Sequence, residues 1–201
     1  MIKLTQVNYI AQGTNRACYI HPLDNTKCIK VTISNDYRES NKEIKYYKFL
    51  ESKNISWVQI SKYYGSILTN KGQGEIFDLI RDYDGSISKT LSYYLQTEEL
   101  TRTILNPKKL LFNLKEYTLK ENIVVKDLNT KNMMYQKIDE NNARLILVDG
   151  IYNNSFLFYS NFFPFLAQRK INKLWDNFES SLFQKYKSNN YFITLFSYTN
   201  N

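Results

Sequence analysis

Apolar and polar positions along the chain change their period several times, and each change predicts an element. Val7 to Ile10 and Ala17 to Ile20 are short β-like runs on either side of Gly13. Pro22-Leu23-Asp24-Asn25 supplies turn chemistry, and Cys28-Ile29-Lys30-Val31-Thr32-Ile33 reads as a strand rich in β-branched residues. From Arg38 to Ser52 the period lengthens. Ile44, Tyr47 and Leu50 recur at near-helical spacing with Glu and Lys between them, which predicts an amphipathic helix. Ile67-Leu68 and Glu75 to Arg81 read as two further strands, joined by the polar, glycine-containing loop Thr69 to Gly74. This part of the chain is expected to form a small antiparallel sheet with one helix.

Asp82-Tyr83-Asp84-Gly85-Ser86 is a turn cluster and marks a lobe boundary. Beyond it the pattern is mainly helical, over Thr90 to Leu95 and Glu98 to Leu105. Asn106-Pro107 is a helix start, with Asn as cap and Pro in the first turn, where no N–H is needed. Leu110, Leu114 and Tyr117 share a face of that helix; Thr118 interrupts the flanking Leu111 row, and the helix is expected to stop near Lys120. Ile123-Val124-Val125 and Leu145-Ile146-Leu147-Val148 are short β-like runs, separated by a polar turn over Gln136 to Ala143. After Gly150 the chain is rich in aromatics, and Tyr152 to Phe165 is read first as core and second as a binding surface. After Pro164 a helical face follows, made by Ile171, Leu174, Trp175, Phe178 and Leu182.

The 201 residues suffice for one domain, or for two small lobes on a shared core. The net charge of +8 is read first as a lysine-rich solvated surface and second as attraction to an anionic partner. The lysines are spread along the chain without a basic block, so charge alone speaks for nucleic acid, which is not the expected partner. Cys18 and Cys28 are too few for a disulfide framework and match no zinc spacing; they are expected as reduced thiols in strands, close together if those strands pair. The first ten residues lack the apolar core of a signal peptide, and the apolar stretch Phe156 to Leu166 is too short to span a bilayer. A cytoplasmic protein with no membrane partner is expected.

The polar residues carry the chemistry in a definite order: the turn Gln12-Gly13-Thr14-Asn15, Lys30 inside a strand, Glu43 on the next helix, Asp82-Tyr83-Asp84-Gly85, then Asp127, Asn132 and Asp149. That order, carried by GTNRACYIHPLDNTKCIKV, IRDYDGSIS, VKDLNTKNMMY and LILVDG, resembles the protein-kinase-like superfamily. Within it the chain is most similar to the bacterial YrbL-like family, also called the PhoP regulatory network protein family. The resemblance runs through Gly150. It implies an α+β fold: a compact bilobal kinase-like domain with an N-terminal antiparallel sheet plus helix over residues 1–82, and a mainly helical C-terminal lobe over 83–201. It also implies an ATP- and Mg²⁺-dependent phosphotransferase whose acceptor, a small molecule or a protein, is not specified.

Each position has a physical reason. Backbone N–H groups at Gly13, Thr14 and Asn15 would approach the phosphates of a nucleotide, with Asn15 and Arg16 as added donors in place of further glycines. Cys-Ile-Lys-Val resembles the kinase strand whose lysine meets the α/β-phosphates, which assigns that role to Lys30. A buried lysine needs a carboxylate; Glu43 is the candidate and Glu39, one turn earlier, the rival. Asp127 and Asn132 have the spacing of the kinase catalytic loop, the acid to take a proton from an attacking hydroxyl and the amide to bind metal. Lys131 is read either as a phosphate contact or as solvated, and Asn129 as a group that orients Asp127. Asp149 before Gly150 is read as a second metal ligand, and as a β-turn residue if taken alone. Backbone groups of Ile80, Arg81 and Asp82 are expected to receive the adenine.

Val125 and Lys126 stand where kinases have His and Arg, no Phe follows Asp149, and no Ala-Pro-Glu occurs. These departures keep a second reading open, a pseudokinase that binds nucleotide or a regulatory partner with little turnover.

Overall fold

The computed structural model describes residues 1–34, 36–153 and 164–197 and is α+β. The first sheet has the strands β1 (Tyr9–Gln12), β2 (Arg16–His21), β3 (Asp24–Thr32), β4 (Tyr63–Thr69) and β5 (Gly72–Asp78). They pair antiparallel in the order β1-β2-β3-β5-β4. The helix α1 (Arg38–Ser52) spans the expected residues. The β4–β5 hairpin turns more tightly than expected: its strands meet at Thr69 opposite Gly72, and β5 ends at Asp78 rather than Arg81.

The pleat sorts the sheet into two faces. Ile29 and Val31 of β3 pack with Leu4, Ala17 and Tyr19 on one face, under the N-terminal segment. Asn70 pins that segment by accepting from Leu4 N at 2.7 Å and donating to Leu4 O at 3.1 Å. Cys28 and Phe77 face the other way and join Tyr46, Tyr47 and Leu50 of α1. That second cluster continues without a break into Leu114, Ile123, Leu147 and Trp175, so the two halves of the chain share one apolar core.

The second half contains β6 (Lys89–Thr90), α2 (Leu91–Tyr94), α3 (Glu98–Arg102), α4 (Pro107–Lys120), β7 (Met133–Lys137), β8 (Ala143–Leu147), α5 (Pro164–Lys185) and α6 (Asn190–Ser197). A three-stranded antiparallel sheet in the order β6-β7-β8 lies beneath the helices. The segment at Gln59–Ser61 runs beside β8, with Ser61 N donating to Leu147 O at 2.8 Å and Leu147 N to Gln59 O at 2.9 Å.

Three local expectations change. Ile123-Val124-Val125 is buried but belongs to no strand; Val124 N is satisfied by Tyr46 Oη at 2.9 Å instead of a ladder partner. The partner of β8 is β7, inside what reads as loop and turn. Asn106 opens α4 in a left-handed conformation (φ 46°), and its side chain makes no cap bond. Of the aromatic stretch, residues 154–163 lie outside the described residues. No helix among the described residues is long and apolar enough to cross a membrane.

Candidate functional site

The loop between α4 and β7 carries Asp127 to Asn132. Asn129 shapes it as an Asx turn, its Oδ1 accepting from Lys131 N at 2.9 Å and Asn132 N at 3.2 Å. Asn129 Nδ2 donates to the Asp127 carbonyl at 3.4 Å, so it orients Asp127 through the backbone. Asn132 Nδ2 donates to the Asp127 carbonyl and to Asp127 Oδ2, both at 3.0 Å. Thr130 points inward: it is buried, shares a hydrogen bond with Tyr186 Oη at 2.8 Å, and its carbonyl accepts from Ser92 N at 3.0 Å. The loop is therefore anchored from behind by α2 and by the residue that follows α5.

The strap that follows β8 closes against this loop. Val148 N donates to Asn132 O at 3.0 Å and Asp127 N to Gly150 O at 3.2 Å. Gly150 has φ +75°, and a Cβ there would lie 2.7 Å from Asp127 O and 3.1 Å from Asn132 Nδ2. Only glycine fits both the backbone conformation and the close approach. Asp127, Asn132 and Asp149-Gly150 thus form one cluster, although the whole of β7 and β8 separates Asn132 from Asp149 in sequence.

From the first sheet, Lys30 and Arg16 reach the same place. The Lys30 ammonium is buried, donates to the Val148 carbonyl, lies 4.0 Å from Asp149 Oδ2 and sits 4.5 Å from the centre of the Phe77 ring. The Arg16 guanidinium hydrogen-bonds Asp149 Oδ1 with one nitrogen and lies 2.5 Å from Glu43 Oε2 with another. The expected pairing of Lys30 with Glu43 is therefore replaced. Among the described residues the cation on Glu43 is Arg16, and the carboxylate near Lys30 is Asp149. Donors on separate nitrogens of one planar guanidinium let Arg16 meet two acids from two positions, which an ammonium, with all its donors on one atom, does not reproduce.

Neither glutamate forms the ion pair with Lys30 for which both were candidates, and the two differ in burial. Glu43 is buried on the face of α1 that meets the sheet, while Glu39 is exposed and accepts from Asn15 Nδ2 at 3.2 Å. Burial pushes the Glu43 carboxyl above its ordinary value despite Arg16, and its Oε1 is buried without a hydrogen-bond partner. Asp149 has a half-exposed side chain. Partial burial would raise it, but Lys30 and then Arg16 outweigh that and hold it below the usual carboxylate range. Sequence reasoning named Arg16 only as a donor to phosphate; nothing in its spacing signals the bridge it makes. Tyr152, whose hydroxyl is pushed above its ordinary value by partial burial and by the carboxylates of Glu39 and Asp127, carries no motif at all.

The remaining expected residues are less committed to the cluster. Gly13, Thr14 and Asn15 form the exposed β1–β2 connection. Gly13 N donates to Arg16 O at 2.9 Å, and Asn15 O accepts from Ile33 N at 2.9 Å. At Gly13 a Cβ would have only Arg16 O in reach, at 3.8 Å, so neither conformation nor space demands glycine there. Lys131 is exposed. At the lobe boundary, the Ile80 carbonyl accepts from Ser88 N at 3.0 Å, the Arg81 carbonyl from Gln136 Nε2 at 2.7 Å, and Asp82 N donates to Ser86 O at 2.9 Å. The Asp82 side chain is buried and accepts from Ser88 Oγ at 2.5 Å and Lys137 N at 3.0 Å, which ties the boundary segment to β7.

Comparison with known proteins finds relatives that match over most of the chain. The protein named "Uncharacterized protein YrbL" of Escherichia coli (strain K12) is 29% identical over 181 residues, which cover 89% of this chain and 86% of the relative. The protein of the same name from Shigella flexneri matches with the same identity and coverage. A family model described as PhoP regulatory network protein YrbL matches residues 2–182, from the N-terminal segment to the last turn of α5. The chain belongs to the PhoP regulatory network protein YrbL family.

Proposed function

We propose that the chain is an ATP- and Mg²⁺-dependent phosphotransferase of the protein-kinase-like superfamily, with residues 1–82 as a nucleotide-binding lobe and 83–201 as a catalytic lobe. One observation carries this reading. Lys30 of the first sheet lies 4.0 Å from Asp149, and the residues on either side of Asp149 are hydrogen-bonded to the Asp127–Asn132 loop. Phosphoryl transfer asks for positioning and charge neutralisation, and this cluster assembles both from distant parts of the chain.

The donor set suits Mg²⁺. Asp149 supplies a carboxylate, and the nitrogen of Asn132 is bound to Asp127, which leaves its oxygen as the metal-facing atom. The Arg16 guanidinium on Asp149 is a stand-in for that cation. No group of three or more His, Cys, Asp or Glu gathers as a metal site among the described residues. That fits an ion completed by water and substrate phosphates, and does not fit tetrahedral zinc. When bound, Mg²⁺ would neutralise charge on the transferred phosphoryl group. Lys30 holds the α/β-phosphates, Asp127 accepts the proton of the acceptor hydroxyl, and Glu43 acts by fixing Arg16.

A pseudokinase is the second reading, favoured by specific contacts. Arg16 occupies Asp149, Gly13 N is committed to the hairpin, and backbone groups expected to receive adenine already have protein partners. Thermal shift with ATP and Mg²⁺, followed by ATP turnover in wild type, Asp127→Ala and Asp149→Ala, separates the two. The phosphotransferase reading expects nucleotide-dependent stabilisation and turnover lost in both variants. Stabilisation without turnover on any candidate acceptor favours the pseudokinase, and no stabilisation in any condition removes the phosphotransferase reading.

A further inference from the structure

Cys18 on β2 lies opposite Lys30 on β3, and Ile20 lies opposite Cys28. The two cysteines are therefore diagonal neighbours on one face of the sheet, the face that carries Lys30. The Cys28 thiol donates its proton to the Asp78 carbonyl at 3.6 Å. Cys18 is half-buried and Cys28 buried. The neighbouring Cys28 thiol, with the positive charges of Lys30 and Arg16, holds the Cys18 thiol below its ordinary range; the neighbouring Cys18 and burial push Cys28 up. Cys18 is thus the more accessible and the more readily ionised sulfur, and Cys28 is its diagonal neighbour on the same face. Phosphotransfer has no use for either.

We propose that Cys18 and Cys28 are a redox modification site, in which a hydroperoxide oxidises Cys18 and Cys28 resolves the product as an intramolecular disulfide. The Cys18 thiolate attacks the peroxide O–O bond, which breaks; sulfur gains a hydroxyl group and loses two electrons, and an alcohol, or water from hydrogen peroxide, leaves. The Cys28 sulfur then attacks Cys18, the S–S bond forms, the S–O bond breaks, and the departing hydroxide takes the Cys28 proton as water. Two thiols and one hydroperoxide give one disulfide, one water and one alcohol.

A diagonal pair is wider than a disulfide allows at rest, so closing the bridge draws β2 along β3. β2 begins at Arg16 and sets Cys18 against Lys30. The modification therefore disturbs the cations of the cleft. This consequence rests on the phosphotransferase reading; the modification itself does not.

The test uses the full chain treated with hydrogen peroxide under native conditions. Intact mass is expected to fall by two hydrogens, peptide mapping to show Cys18 joined to Cys28, and dithiothreitol to reverse both. In Cys28→Ser, dimedone is expected to trap a sulfenic acid at Cys18. In Cys18→Ser, oxidation of Cys28 is expected to be about tenfold slower or more. Wild type that stays reduced, links only between molecules, or acquires oxygen without a disulfide overturns the site, and that result needs no variant to fold. Thermal shift with ATP and Mg²⁺ on the oxidised and reduced protein reads the coupling. A weaker shift after oxidation is expected, and equal shifts overturn the coupling. A disulfide in a protein that never responds to nucleotide leaves the modification standing and counts against the phosphotransferase reading instead.

Discussion

Arg16 lies 2.5 Å from Glu43 Oε2, and its other nitrogen hydrogen-bonds Asp149, so a single guanidinium from the end of a hairpin holds α1 and the strap after β8 together. Glu43 is buried, and nothing else among the described residues forms an ion pair with it. Arg16→Met leaves that carboxylate alone in the core and is expected to cost about 3–5 kcal/mol. Arg16→Lys is expected to recover only part of this, since an ammonium keeps the charge but not the guanidinium's spread of donors over separate nitrogens. Urea denaturation of Arg16→Met, Glu43→Gln and the double variant checks the origin. If the double variant is no more stable than Arg16→Met, the buried charge is not the source of the loss.

The two acids on that guanidinium predict opposite pH dependences. Glu43 holds its proton more tightly in the folded chain, so its contribution is present below the unfolded value near 4.5 and is lost as pH rises through the folded value. Asp149 is held below its unfolded value near 3.8, so its contribution is present above that value and is lost as pH falls. Glu43→Gln should therefore gain on wild type as pH rises from 4.5 toward neutrality, while Asp149→Asn should gain on wild type below 3.8. Melting temperatures across that range read both trends, and parallel curves for variants and wild type would contradict them.

Gly150→Ala tests the contact between the strap and the loop. Alanine at φ +75° is strained, and its Cβ would lie 2.7 Å from Asp127 O. A loss of more than about 1 kcal/mol is expected from the backbone alone. Gly13→Ala serves as the comparison: no left-handed φ and only one atom within 4 Å make it tolerated. Equal stability of the two variants would show that the close approach at Gly150 is not maintained in solution.

Some elements were legible because their signals are local. The spacing of Ile44, Tyr47 and Leu50 marks α1, and Pro107 with Leu110, Leu114 and Tyr117 marks α4, each with its observed ends. β7 was not legible: five residues beginning Met-Met-Tyr carry little strand signal, and its partners come from elsewhere in the chain. Ile123–Val125 misled in the other direction. An apolar run shows that a segment is buried but not what satisfies its backbone, and here a tyrosine hydroxyl does so. In the candidate site, the spacing of Asp127, Asn132 and Asp149 anticipated a cluster that the fold assembles. Which carboxylate meets which cation depends on side-chain reach across three elements, and spacing along the chain carries no record of that.

Thr118 looked like a flaw in the apolar pattern of α4, and its contacts turn it into a prediction. It is fully buried; its hydroxyl donates to Lys115 O at 2.8 Å and accepts from Trp175 Nε1 of α5 at 2.9 Å. Trp175 is itself buried, so its indole N–H depends on that oxygen. Thr118→Val keeps the shape and removes the acceptor, and is expected to cost about 1–3 kcal/mol because a buried donor is left without a partner. Thr118→Ser keeps the acceptor and loses one methyl group, for roughly 0.8 kcal/mol. Chemical denaturation of the two variants orders them. A valine variant as stable as wild type would mean that the hydroxyl fills space only, and that the α4–α5 contact is held by its apolar atoms.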